Sequence, residues 1–197
     1  MLLNVLASGL VLLLVGQQST VNAWWMFAAE PTAAAVKAVA TFDLDGVRGS
    51  FKFSQKSPTE PTLCEYDLIG LKGNNKLYHV HVRPVPPFKP EAVRNNATAL
   101  AQLCGDPATG GHHNPFHVTA KLPPKSAPLE KYETGDLSGK HGPLYQLTTP
   151  GQVDHYVGSF TDSKLPLSGE NSILGRSIVI HKNDGKRWVC ASIVEAK

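Results

Sequence analysis

The chain has 197 residues, 19 lysines and arginines against 16 aspartates and glutamates, a formal charge of +3 and 42% hydrophobic residues. So mild a balance, with no basic run, excludes a nucleic-acid-binding stripe, and the length allows one domain with a proper core. Residues 2–15 form an apolar run without a charged side chain, followed by polar Gln17, Gln18, Ser19 and Thr20 and then by Val21-Asn22-Ala23. This reads as a signal peptide over residues 1–23, cleaved after Ala23. No second apolar segment of spanning length follows, and Val194-Glu195-Ala196-Lys197 offers no tail for a lipid anchor, so a secreted product without a transmembrane segment is expected. Its oligomeric state is left open, with a monomer favoured.

After a lead over residues 24–35, a domain over residues 36–197 begins with alternation. Val36, Ala38, Ala40, Phe42 and Leu44 share one face, Asp45-Gly46 signals a turn, and Val47, Gly49, Phe51 and Phe53 share a face beyond it. Two strands joined by a tight turn predict a β-hairpin. A third strand is expected over residues 62–71, and Gly73-Asn74-Asn75 leads into a fourth that carries Tyr78-His79-Val80-His81. From residue 83 to 111 prolines and glycines dominate, with one short helix expected between residues 91 and 103. Another irregular stretch runs over residues 123–133. Strands resume over residues 172–181 and 187–194, separated by Lys182-Asn183-Asp184-Gly185-Lys186, whose composition suits a hairpin loop. Short strands with long loops predict an all-β architecture, a β-sandwich or flattened Greek-key barrel.

Three cysteines in an oxidising compartment predict one bridge and one leftover thiol. Cys64 shares a strand face with Tyr66 and Leu68, which makes it the candidate for a buried, unpaired thiol. A bridge from Cys104 to Cys190 would close a long loop. Asn96-Ala97-Thr98 is an N-glycosylation sequon.

The chemistry centres on His79 and His81. Two residues apart on a strand, they face the same way and can hold one metal ion. Imidazole suits copper, zinc, iron or nickel, and the plainer reading of the pair alone is two strand histidines with no metal. His181 ends one strand and Arg187 begins its partner across a five-residue turn, which places them near each other at the sheet rim. His112 lies in Gly110-Gly111-His112-His113-Asn114-Pro115, a loop that a Cys104–Cys190 bridge would fasten to the strand of Arg187.

Taken in order, Tyr78-His79-Val80-His81, Cys104, Gly111-His112-His113-Asn114-Pro115, Gly135-Asp136-Leu137, the segment from Ser168-Gly169-Glu170-Asn171 to His181, and Arg187-Trp188-Val189-Cys190 resemble the landmarks of copper/zinc superoxide dismutases. The resemblance covers nearly the whole of residues 36–193. It implies a Greek-key barrel of that family's type, His79, His81, His112 and His181 as copper ligands, and Cys104 with Cys190 as the family disulfide. It also implies that Arg187 guides and binds the superoxide anion, a role suited to a permanently charged planar fork of donors.

The departures from that family are informative. Where zinc-bearing members place further histidines, Ala120 and Glu133 stand here; only His112 and Asp136 remain of the zinc set, and His117 has the wrong offset. The long charged loop before Arg187 is reduced to the hairpin turn. Both losses resemble the copper-only superoxide dismutases, in which an acidic pair at the spacing Glu133-x-x-Asp136 takes over part of the zinc's work. The expectation is that Glu133 and Asp136 both orient His112, that zinc is not bound, and that His112 moves between copper and the acidic pair during turnover. His113, His141, on a solvated turn, and His155 receive no role. The alternative is a secreted copper-binding or interaction module that keeps the sandwich without turnover.

Overall fold

The computed structural model describes residues 34–93, 96–146 and 154–196. The expected signal peptide and residues 24–33 of the lead lie outside the described residues.

Strands β1 (Val36–Leu44) and β2 (Val47–Gln55) form the expected hairpin. Leu44 pairs with Val47, and Asp45 and Gly46 take positive φ values of 49° and 82°, the two-residue turn whose twist suits paired strands. Ala38, Ala40, Phe42, Leu44, Phe51 and Phe53 are buried while their sequence neighbours face outward, so the period-two pattern sets which face meets the core.

The chain continues through β3 (Thr62–Ile69), β4 (Tyr78–His81), β5 (His155–Asp162), β6 (Ser177–His181), β7 (Arg187–Ser192) and β8 (Val194–Glu195). The strands build two antiparallel sheets, of order β5-β3-β2-β1-β8 and β4-β6-β7. β5 was not anticipated from the sequence. The final strand differs too: the run after Arg187 breaks at Ile193, whose amide bonds Arg176, and Val194–Glu195 crosses to pair with β1 in the other sheet. Two sheets face to face with crossovers between them make an all-β Greek-key sandwich.

Between the sheets, Phe51 stacks on Tyr78 with ring centroids 5.5 Å apart, joining β2 to β4. Around them pack Phe42, Leu68, Val80, Ile178 and Ile180, each side chain contributing about 2–3 kcal/mol by leaving water. Burial pushes the Tyr78 hydroxyl's pKa well up, so it stays neutral. Cys64 is fully buried and unpaired, and burial likewise pushes its thiol up.

Among the described residues the long connections carry short helices, α1 (Pro90–Val93), α2 (Ala97–Cys104), α3 (Asp106–Thr109) and α4 (Leu137–His141), and a 3-10 turn at Leu129–Lys131. The single helix expected between residues 91 and 103 is thus two. Asn96 starts the second by accepting a bond from the Ala99 amide at 3.0 Å. Cys104 at the end of α2 is bridged to Cys190 in β7.

Candidate metal centre

β4 pairs with β6 so that His79 faces Val179 and His81 faces Ser177, while His181 ends β6 opposite Arg187, where the register slips by a bulge. His112 arrives from the long loop, which runs alongside β4 like an added strand. Val82 bonds Gly111, His113 bonds Val80, and His81 and His112 form a bridge pair. Gly135 seals the other side: its amide bonds the His113 carbonyl and its own carbonyl accepts from Val80. A side chain there would come within 2.3 Å of the Val80 oxygen, so this close approach requires glycine.

These backbones bring His79, His81, His112 and His181 together, one ring nitrogen from each lying within 4.8 Å of the others. Each ring also has a partner on its outer side. His81 Nδ1 donates to the Gly110 carbonyl at 2.8 Å, His181 Nδ1 to the Gly185 carbonyl at 2.9 Å, and His112 Nδ1 to Glu133 Oε2 at 2.6 Å. His79 differs, turning Nε2 toward Asp136 Oδ1 at 3.4 Å and Nδ1 inward. An acceptor on the outer nitrogen fixes the proton there and leaves a lone pair on the inner one.

The inner nitrogens fit a metal ion. His79 Nδ1 and His181 Nε2 face each other at 3.1 Å, and with both outer nitrogens protonated, two lone pairs are opposed unless a cation sits between them. His81 Nε2 is buried with no hydrogen-bond partner, the only such side-chain atom among the described residues. An orphaned buried acceptor needs a ligand, and four neutral imidazoles form a donor set suited to copper. Burial lowers the pKa of His81 to about 3 and of His181 to about 4, with the charge of Arg187 adding to both, and burial lowers that of His79. Neutral rings are the ligating form.

The acidic pair divides its work. Glu133 reaches His112 as expected, whereas Asp136 faces His79, not His112. The reason is local: Asp136 is the N-cap of α4, its Oδ1 accepting from the Gly139 amide at 2.7 Å, and the cap turns its carboxylate across β4. Burial works against the Asp136 charge, but His79 and the Gly139 amide outweigh it and hold the carboxyl below the ordinary range.

Arg187 flanks the rings. Its Nη1 donates to Thr109 Oγ1 at 3.1 Å and its Nη2 to Asp106 Oδ1 at 3.0 Å, committing two of the five N–H groups of a guanidinium. Asp106, Thr109 and the carbonyls of Gly110 and Gly185 contact the candidate site residues, and sequence reasoning missed them. Asp106, Thr109 and Gly110 lie far along the chain from their targets, and Gly185, four residues from His181, reaches it through a backbone carbonyl that no side-chain pattern marks.

The other histidines take varied places. His113 is buried, with Nε2 donating to the Asn171 carbonyl, and His117 is not among the groups brought together around the cluster. His155 meets Asp67. His141 is not on a solvated turn: it stacks on Phe160 at 3.8 Å and donates to Asp162 at 2.9 Å. Asn96 is exposed. No helix among the described residues is long and apolar enough to cross a membrane.

The profile of the family described as copper/zinc superoxide dismutase (SODC) matches residues 47–191. A cell surface Cu-Zn superoxide dismutase 4 of Candida albicans is 34% identical over 152 residues, 75% of this chain and 53% of its own length. The cell surface Cu-only superoxide dismutase 5 of the same organism is 35% identical over 118 residues, 59% of this chain and 40% of its own. The chain thus spans about half or less of these two relatives. A Cu-Zn superoxide dismutase of Saccharomyces cerevisiae is 33% identical over 148 residues, 74% of this chain and 78% of its own. The Cu(II) structure of the Candida albicans superoxide dismutase 5 superposes with a TM-score of 0.63 at 29% identity, covering 83% of this chain and 94% of that one.

Proposed function

The chain belongs to the copper/zinc superoxide dismutase family, and from that premise we propose that it is a secreted, copper-dependent superoxide dismutase that works without zinc. Two superoxide anions and two protons would give one dioxygen and one hydrogen peroxide. The observation that carries this reading is the set of four imidazoles whose outer nitrogens are tied and whose inner nitrogens converge within 4.8 Å.

Held by His79, His81, His112 and His181, copper would supply reversible one-electron exchange with superoxide. Arg187 binds and orients the anion with the N–H groups that Thr109 and Asp106 leave over. His112 keeps its proton at Nδ1, shared with Glu133, and at 33% and 28% exposure both side chains meet water, which can replace a proton passed on. The zinc-free reading rests on the same bond: the His112 nitrogen that a second metal would need already serves a carboxylate, and Asp136 is occupied by the α4 cap and His79.

Secretion is supported by the signal-like residues 1–23 and by the bridge between Cys104 and Cys190, which suits an oxidising compartment. The names of the two Candida relatives place those proteins at the cell surface. In the same compartment Asn96 would carry a glycan, since the cap uses its side-chain oxygen and not its nitrogen.

The test is metal analysis and superoxide consumption on protein exposed to equal copper and zinc. The wild type should retain copper, exclude zinc and turn over. His181→Ala should lose both copper and turnover. Arg187→Ala should keep copper while kcat/KM falls by roughly tenfold or more, the loss expected for a charge-assisted anion contact. Tight copper without turnover in the wild type would overturn the enzyme reading in favour of a binding module.

A further inference from the structure

A buried ion pair stands apart from the four rings. Lys140 in α4 and Asp162 at the end of β5 have fully buried side chains, with Nζ 2.5 Å from Oδ2. Asp162 collects two further donors, His141 Nε2 at 2.9 Å and the Lys164 amide at 2.7 Å. Lys140 Nζ makes its other bond to the Thr134 carbonyl at 2.7 Å. Thr134 lies inside the turn that presents Glu133 to His112 and Asp136 to His79.

Apolar side chains of similar volume would fill this space without the desolvation that two buried charges suffer, so packing alone does not account for the pair. Its geometry does. The ammonium grips the backbone of the acidic turn from behind, while the Asp162 carboxylate is anchored in the five-stranded sheet, where β5 pairs with β3. On the opposite side the turn is held by β4 and its neighbouring loop, through Val80 to Gly135, Gly135 to His113, and Ser138 to both the amide and carbonyl of Tyr78, while the Gly139 carbonyl accepts from the exposed Lys125 amide. A carboxylate that must stay within hydrogen-bond reach of a ligating imidazole tolerates an error of about half an ångström. A turn pinned from one side alone can rock.

We propose that Lys140 and Asp162 form a buried strut that positions Glu133 and Asp136 against His112 and His79. Neither residue touches the four inner nitrogens, so both are positioning residues. The catalytic meaning of the strut rests on the dismutase reading above, but the placement itself can be read in metal-free protein.

The experiment compares the full chain with Lys140→Met, Asp162→Asn and the double variant Lys140→Met/Asp162→Leu, which removes both charges together and avoids stranding one. Near-ultraviolet circular dichroism reports folding. In the metal-free protein, nuclear magnetic resonance follows solvent exchange of the His112 Nδ1 proton that is bonded to Glu133. The folded double variant should exchange it about tenfold faster, the equivalent of one lost hydrogen bond. In copper-loaded protein the parallel hyperfine coupling of the Cu(II) resonance should shift as it does in Glu133→Gln, and combining the two changes should add little, which a merely structural role would not produce.

A folded double variant whose His112 proton and Cu(II) signal match the wild type overturns the proposal. The wild type gives a check that needs no variant: Lys140 ammonium protons should exchange slowly and show proximity to Thr134, and an ammonium in rapid exchange with solvent overturns the strut. A wild type that binds copper without turnover would remove the dismutase reading and leave the metal-free comparison standing.

Discussion

At each of the four imidazoles the nitrogen that faces away from the cluster decides what the other can do. Backbone carbonyls can only accept, so Gly110 and Gly185 leave His81 and His181 a single neutral tautomer, whereas Glu133 adds a charge to the same constraint on His112. Glu133→Gln removes that charge while its amide oxygen can still accept from His112 Nδ1, at the cost of the long 3.3 Å bond from Asn114 Nδ2. Copper affinity should fall about 10- to 100-fold, the usual range for losing such a partner, as measured by competition with a chelator. An unchanged affinity would mean that position and not charge is what Glu133 provides. The pairing of Glu133 with His112 was legible through the resemblance, which implies that an acidic pair at the spacing Glu133-x-x-Asp136 takes over part of the zinc's work. The destination of Asp136 was not, because it depends on which residue caps α4, and a five-residue helix leaves almost no periodic trace.

Elements were legible in proportion to how cleanly they alternate. The hairpin of β1 and β2 carries an Asp-Gly turn between regular apolar faces and stands where the pattern puts it. β5 does not advertise itself: its inward positions include Gly158, where a side chain would strike the Tyr66 ring, and charged Asp162. That charge should show in acid. Burial works against it, but the bonds from His141 and Lys140 more than offset burial and depress the Asp162 carboxyl below its ordinary range. A depressed folded pKa gives stability that is present above the unfolded value and lost as pH falls through the folded one. Denaturant midpoints followed from about pH 6 down to about pH 2 should therefore decline less steeply in Asp162→Asn than in the wild type. Parallel curves would assign the acid sensitivity to other carboxylates. The disulfide acts at the same scale. With its cysteines 86 positions apart in sequence, replacing Cys104 and Cys190 by serine should remove about 4–5 kcal/mol in the chain-entropy model, lowering Tm by about 10–15 °C in a calorimetric scan. It should also loosen α2 and α3, and with them the Thr109 and Asp106 contacts that hold Arg187.

For the molecule as a whole, the proposed activity asks how an anion would find one small site on a chain with a formal charge of only +3. So small a net charge contributes little guidance, and at physiological ionic strength charges more than about 8 Å apart are largely screened. Guidance must then come from the rim of the rings, and there the hairpin over residues 182–186 matters. It brings Lys182 and Lys186 beside Arg187, against Asp184, which pairs with Lys186 at 3.1 Å, and Asp106, which pairs with Arg187. Three cations against two carboxylates leave one net positive charge on the hairpin side of the rim, sited where the family's long charged loop is missing. Lys182→Glu/Lys186→Glu turns that to minus three without touching a ring or the Arg187 contacts. At low ionic strength kcat/KM should fall about tenfold or more, and the deficit should close as salt is raised toward about 0.5 M, because screening removes attraction and repulsion alike. Stopped-flow decay of superoxide across a salt series separates this from damage to the site. A deficit of the same factor at every salt concentration would mean that the hairpin acts through its geometry, by way of the Gly185 carbonyl that holds His181, and not through its field.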